Sequence, residues 1–317
     1  MKIKLSQELQ NKLLCPLTKG KLLISKNYIE SINNKNIQYP IIDGVPVVIN
    51  SNNSLFTIND FLNNENTTIN INEPESMFRK LIRKITPTIS DNLRAEINYK
   101  KIASLLPHDA KILVLGGSIK GFGMNPIYTN ESFEVIGSDV SFGPYTKIIF
   151  DAHDIPFEKE TFDCVIIQAV LEHVIDPQRC VSESHRVLKK DGLVYSETPF
   201  MQQVHMKQYD FTRFTHLGHR RLFRCFDEIE SGVVAGPGTA LAWSYTYFLR
   251  SFGWSNISVR IFMKFAYFTS FFLKYFDYLL INRAGAYDAA SGFFFIGSKS
   301  TNIISDKVLI QQFRGIK

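Results

Sequence analysis

Three short apolar runs that each end on a glycine or an acidic residue, followed by a longer unbroken one, constrain this chain most strongly. Lys111–Leu115 runs into GGSIKGFG, Phe133–Ser138 ends at Asp139, Thr146–Phe150 ends at Asp151, and residues 162–168 read FDCVIIQ. Runs of this kind suit strands buried on both faces of a parallel sheet. Strand-like and helix-like stretches alternate along this region, the order expected when helices cross over between parallel strands. A helix is predicted to start at Asp176 with Pro177 in its first turn, to carry Lys189 and Lys190 in its last, and to stop at Asp191-Gly192. Leu193–Glu197 follows as a fifth strand, and Ala290–Gly297 as the last, antiparallel at the sheet edge. Residues 75–106 carry helical patterns. The expected class is α/β, with a doubly wound, mostly parallel sheet.

The chain before this region is different. Residues 1–50 predict a short helix from Ser6 to Leu14 and strands near Lys21–Ile24, Asn36–Ile42 and Val45–Ile49. Residues 50–72 hold nine asparagines and little periodicity, which reads as a linker. The expected division is therefore 1–50, a small β-rich module; 51–74, an Asn-rich linker; and 75–317, the main domain. A length of 317 residues accommodates two such domains. The four cysteines form no CxxC pair, which argues against a disulfide framework. The start lacks the apolar core of a signal peptide, so a cytoplasmic location is expected. The net charge of +6 is spread out, with no Lys/Arg block of five or six, so no nucleic-acid partner is expected.

The glycine loop LVLGGSIKGFG carries Gly116, Gly117 and Gly121 directly after the first strand. Glycines there permit a sharp strand-to-helix turn and a close approach of ligand to backbone. Asp139 lies 23 residues after Gly116, at the end of the next strand, where a carboxylate accepts hydrogen bonds from two ribose hydroxyls. Together they point to a nucleoside ligand. An NAD-dependent oxidoreductase fits the same glycines, so the segments beyond them have to decide.

From Asp151 the chain reads DAHDIPFEKETFDCVIIQAVLEHVIDP. With the glycine loop and Asp139 in register, this resembles the class I S-adenosylmethionine-dependent methyltransferases of the type 11 group, strongly over about residues 107–200. The resemblance implies a Rossmann-like methyltransferase fold with a seven-stranded sheet and S-adenosyl-L-methionine as cofactor. It implies that Gly116, Gly117 and Gly121 line the methionine part, that Asp139 holds the ribose, that Asp151 and Ala152 contact the adenine edge with His153 beside it, and that Gln168 sits next to the sulfonium. Glu172 and His173 are read as organising the turn after the fourth strand. Two positions depart from the family pattern: Val114 stands where an acidic residue is usual, and Ser118 where a third glycine is common. A non-catalytic nucleoside-binding or partner-activating protein is the alternative, motivated by Val114 and by zinc ligands missing from the N-terminal module.

In the N-terminal module, LLCPLTKGKLL and IQYPIIDGVPVVI resemble the small Trm112-like zinc ribbon that often precedes these enzymes. Only Cys15 remains of its ligands, with Thr18, Ile32 and Lys35 at the other positions, and a structural zinc needs four. No metal is expected, and the module is expected to be held by its apolar residues and by docking on the main domain.

Two further segments draw attention. TPFMQQVHMKQYDFTRFTHLGHRRLF (residues 198–223) follows the fifth strand and carries His205, Asp210 and Arg213. His205 and Asp210 are the candidates for the base that deprotonates the acceptor, histidine because it titrates near neutral pH. The local alternative is an Asp210–Arg213 salt bridge that pins a helix start. The acceptor is expected to be a sugar, glycan or small metabolite. The second segment, Ile261–Ile281, is rich in the chain's 26 phenylalanines. Lys264, Ser270, Lys274 and Asp277 fall on one helical arc, and Phe265, Phe268, Phe272, Phe276 and Leu279 on the other. Charges inside a membrane span are costly, so an amphipathic helix is expected, covering the core with its aromatic face; peripheral membrane contact through residues 260–283 is the alternative.

Overall fold

The computed structural model describes residues 3–63 and 85–317. Strands β1 (Leu22–Ile24), β2 (Tyr28–Ser31), β3 (Asn34–Ile42) and β4 (Val45–Pro46) form an antiparallel sheet in sequential order. Strands β5 (Lys111–Leu115), β6 (Glu134–Asp139), β7 (Thr146–Ile149), β8 (Phe162–Gln168), β9 (Leu188–Pro199), β10 (Phe226–Ala235) and β11 (Gly292–Lys299) form the main sheet. Its order is β10-β11-β9-β8-β5-β6-β7, parallel from β9 to β7 and antiparallel at β11 and β10. The seven-stranded doubly wound sheet predicted from the sequence is therefore present.

Alternation along the buried strands divides the core between the two faces. Leu113, Leu115, Ile136, Val165, Ile167 and Val194 point to one side, where they meet Leu9, Leu13, Ile29 and Tyr39 of the N-terminal module. Ile112, Val114, Val135, Cys164 and Ile166 point to the other, against Tyr99 and Ile102. Both faces are covered, which is why the strands are apolar without a break. The module is docked as expected: Val48 N–H donates to the Ile149 carbonyl at 2.8 Å, and Val47 bridges Ile149 in parallel, extending the sheet beyond β7. Cys15 is buried, its Sγ 3.2 Å from the Tyr39 hydroxyl.

Eight helices are named here in chain order: α1 (Gln7–Asn11), α2 (Ile58–Leu62), α3 (Ala95–Leu105), α4 (Asn125–Tyr128), α5 (Pro177–Val187), α6 (His216–Leu222), α7 (Pro237–Arg250) and α8 (Asn256–Ser270). Several boundaries correct the sequence reading. Helix α3 starts at Ala95 because the Asn92 side-chain oxygen accepts from the Arg94 and Ala95 N–H groups; residues 64–84, which include the end of the predicted linker and the first part (75–84) of the stretch read as helical, lie outside the described residues. Helix α5 stops at Val187, since Leu188 already pairs with Phe162 in the sheet, and Lys189 and Lys190 belong to β9. Strand β11 lies between β9 and β10, and the edge strand β10 went unpredicted. Residues 51–63 are no loose linker: Phe56 and Phe61 are buried against Ile149, with Val140 and Phe142 packed alongside.

The largest correction concerns residues 261–281. The expected single helix is divided into α8, a 3-10 segment (Phe271–Phe276) and a short helix (Asp277–Leu280). Its faces are inverted, save that Lys264 stays exposed, on the same side as Phe265 and Phe268. Ser270, Lys274 and Asp277 are buried, while Phe265, Phe268, Phe272, Phe276 and Leu279 are exposed. Hydrogen bonding gives the reason. The Asp277 carboxylate accepts from the N–H groups of Gly236, Gly238 and Thr239 at 2.7–3.0 Å, which caps α7 from outside its own sequence. Lys274 Nζ donates to Thr88 Oγ1 at 2.7 Å. These polar side chains have partners inside the protein that solvent would otherwise supply.

Candidate functional site

The strand register sets Leu115 beside Ser138, so Gly116 and Asp139 leave the sheet side by side. Gly116 has φ of +69°, and a Cβ there would sit 2.5 Å from Val170. The turn thus requires glycine. Around this point lies a cavity of about 490 Å³ at the carboxyl ends of the parallel strands, where ligands bind in doubly wound sheets. Of the residues singled out for the cofactor, Gly116, Asp139, Asp151, Ala152 and His153 line it.

Asp139 accepts the Val140 N–H on Oδ1 at 2.7 Å and the Ser118 N–H on Oδ2 at 3.1 Å, and the Ser118 hydroxyl and Ser141 N–H also bear on it. Burial pushes its pKa up against those hydrogen bonds. Asp151 is more heavily engaged. Ser54 Oγ donates to its Oδ2 at 2.6 Å, and His153 approaches its Oδ1 with both the backbone N–H (3.0 Å) and Nδ1 (2.5 Å). Burial would raise its pKa, but these hydrogen bonds outweigh it and hold the carboxyl below its usual range. His153 Nε2 accepts from the Asp176 N–H at 3.0 Å, which leaves the ring proton on Nδ1, facing Asp151. His153 therefore ties the wall of the cavity to the start of α5.

Three of the predicted residues do not line this cavity. Gly117 turns away onto β6, its N–H on the Ser138 carbonyl at 2.8 Å and Gly137 too close to admit a Cβ. Gly121 packs on Gln168, whose Oε1 would lie 2.1 Å from an added Cβ. Gln168 Nε2 donates to the Phe122 carbonyl (3.1 Å) and to Glu197 Oε2 (3.0 Å), so it braces the glycine loop. The N-terminal segment contributes instead: Asn53, Leu55 and Phe56 close one side, and Asn50 and Lys19 are anchored on Asp154.

A second cavity, of about 210 Å³, shares Ala169 and His205 with the first. Ala169 takes φ of +55°, a costly conformation for a residue with a side chain, at the junction of the two spaces. Glu172, Glu197, Thr198, Thr239 and Trp243 line the smaller cavity. Both Glu172 carboxyl oxygens, the Thr198 hydroxyl and the Thr239 hydroxyl are buried without a hydrogen-bond partner. Buried polar atoms normally have one. Burial pushes Glu172 up to about 8. Glu197 is raised too, chiefly by burial, although Tyr195, Gln168 and Asn92 all donate to it.

His205 stands edge-on to His173, ring centroids 4.8 Å apart. Its Nε2 lies 4.0 Å from Glu172 Oε1, and its Nδ1 lies 3.4 Å from Asp210 Oδ2 and 3.3 Å from the Gln203 carbonyl. His173 Nδ1 donates to the Tyr209 carbonyl at 2.7 Å, leaving Nε2 3.7 Å from Glu172. Ligand atoms of Glu172, His173 and His205 all fall within 4.8 Å of one another, close enough to share a proton or a divalent cation. Asp210 corrects the sequence reading: it lines neither cavity. Burial works against its charge, yet the bidentate Arg213 guanidinium and the His205 N–H hold it far below the ordinary carboxylate range. It is too weak a base to take a proton near neutral pH, and it positions the loop instead. Glu172, read from the sequence as a turn residue, is the one that faces the cavity.

Residues 126–196 match the family model described as a methyltransferase domain. No curated protein matches it. Among solved structures it is similar to a complex containing the Haloferax volcanii Trm112 methyltransferase activator (18% identity, 65% of this chain and 91% of that one, TM-score 0.39). It is also similar to Haemonchus contortus phosphoethanolamine N-methyltransferase 2 in complex with S-adenosyl-L-methionine (15%, 65% and 52%, TM-score 0.42). A third is Burkholderia thailandensis 1,6-didemethyltoxoflavin-N1-methyltransferase (12%, 65% and 79%, TM-score 0.39).

Proposed function

We propose that the chain transfers a methyl group from S-adenosyl-L-methionine, held in the larger cavity, to a hydroxyl- or amine-bearing acceptor held in the smaller one. The observation that carries this reading is the junction: two cavities meet at Ala169 and His205, and the smaller is lined by buried oxygens that lack partners. Unpaired oxygens of Glu172, Thr198 and Thr239 suit the donors of a polar small molecule such as a sugar. Asp139, which lines the larger cavity beside the side-chain-free turn at Gly116, fits a ribose diol. Val114 offers no charge to the amino group of the cofactor, as it is buried in the core.

The cofactor supplies an electrophilic methyl carbon on a sulfonium leaving group. The protein's work is alignment and proton removal, and alignment accounts for much of the rate in such transfers. Asp210 orients His205 through its Nδ1 side, leaving Nε2 toward the smaller cavity to accept the acceptor's proton as its lone pair attacks. Glu172, kept protonated by burial, donates a hydrogen bond to the acceptor or to a neighbouring imidazole. The test is transfer of labelled methyl from the cofactor to sugar and metabolite fractions. Labelled product made by the intact chain and not by His205→Ala supports the reading; no transfer to any fraction by a protein that binds the cofactor contradicts it.

A further inference from the structure

We propose that the outward face of α7, α8 and the helical turns that follow is a docking surface for an anionic lipid bilayer. Along α8, Ile257, Ile261, Lys264, Phe265 and Phe268 recur at i, i+4, i+7, i+8 and i+11, one face of a helix, and all are exposed. The stripe continues through Phe272, Tyr275, Phe276 and Leu279. At the α7–α8 turn Phe248, Phe252, Phe262 and Trp254 form a connected aromatic group with centroids 5.3–6.4 Å apart, and Trp254 is 84% exposed. Exposed apolar surface of this extent marks an interaction site.

Charge selects the occupant. No Asp or Glu occurs from Ser231 to Phe276, while Arg250, Arg260 and Lys264 are exposed beside the aromatic face. Aromatic and aliphatic side chains flanked by cations are what an interfacial helix presents to acidic headgroups. A second copy of this face would bring only further cations. The polar side chains that could have faced solvent are used inward, as the Asp277 cap and the Lys274–Thr88 bond show. Among the described residues no helix is long and apolar enough to cross a membrane, so contact would be peripheral. Trp243 lies on α7 and lines the smaller cavity, so the helix that ends at the exposed aromatic group also supplies a wall of that cavity.

The test uses the full chain with vesicles of phosphatidylcholine alone and of phosphatidylcholine with phosphatidylglycerol. Sedimentation should show binding to the anionic vesicles at low salt and a large loss at high salt or on neutral vesicles. Arg260→Glu with Lys264→Glu, and separately Phe265→Ser with Phe268→Ser, should each lower partitioning roughly tenfold or more. In a Trp243→Phe chain, Trp254 emission should shift to the blue on anionic vesicles; circular dichroism checks that each variant folds. Failure to bind anionic vesicles at low salt, or binding that neither pair of substitutions weakens, overturns the proposal. So does a dimer in solution that Phe265→Ser with Phe268→Ser dissociates, which would give the face to a second copy.

Discussion

The parallel half of the sheet and the helical cap after β10 obey opposite rules of burial. In the strands from Lys111 to Glu197, apolar side chains go in, and Asp139 stands at a carboxyl end on the wall of the larger cavity. In α7, α8 and the turns beyond, Asp277 and Lys274 go in while Phe265, Phe268 and Trp254 stay out. Periodicity locates a helix's two faces but does not say which one meets the protein. That was decided by partners far away in sequence, the three N–H groups at the start of α7 and the hydroxyl of Thr88.

The sharpest contrast between site and cap should appear in catalysis. His205→Ala should lower turnover by roughly 10²- to 10⁴-fold, far more than it changes cofactor affinity, as loss of a general base does, whereas Phe265→Ser should leave turnover on a soluble acceptor intact. Steady-state kinetics with calorimetry checks both. Normal turnover in His205→Ala would remove it from the chemistry.

Glu172 gives a pH signature. Its pKa is raised by burial from the model-peptide range near 4.5 to about 8 in the folded protein. Because the folded state holds this proton more tightly than the unfolded chain, folding bears no penalty from it below about pH 4.5, and the penalty grows as pH rises to about 8. Glu172→Gln should therefore gain stability relative to the parent by about 2–4 kcal/mol between those limits, read from denaturant melts at both pH values. A difference that is flat with pH would show that Glu172 has a partner in solution.

Stability should also invert in the cap. Asp277→Ala leaves three buried N–H groups without an acceptor and should cost about 2–3 kcal/mol. Phe265→Ser, on the outward face, should change stability by about 0.5 kcal/mol or less. The reverse ranking in urea unfolding would mean that the aromatic face is packed and the polar face solvated.

Much of the fold was legible because strand, turn and cap signals are local. Continuous apolar runs gave β5 to β8 nearly to the residue, β9 began before its predicted start at Leu193, and glycines marked the turn at Gly116. Edge strand β10 was missed because FDEIESGVVA carries three acids before its apolar end, which hides it from a pattern search. The site was legible where backbone ends converge, at Gly116, Asp139 and Asp151. It was not legible where loops fold over one another. The Asp210–Arg213 salt bridge, three residues apart, was legible; the packing of Gln168 on Gly121 was not, nor was the Glu172 carbonyl that accepts from Phe211 and Thr212 while its carboxyl faces the cavity. No spacing in the sequence encodes the last two meetings.

Calorimetric titration with S-adenosylhomocysteine, on the parent chain and on Asp139→Ala, tests the central claim most directly. The demethylated cofactor should bind one per chain, and Asp139→Ala should weaken it by about 1–3 kcal/mol, the worth of hydrogen bonds to a charged group. No binding by the parent, or equal affinity in the two proteins, would contradict the assignment of the larger cavity to the cofactor.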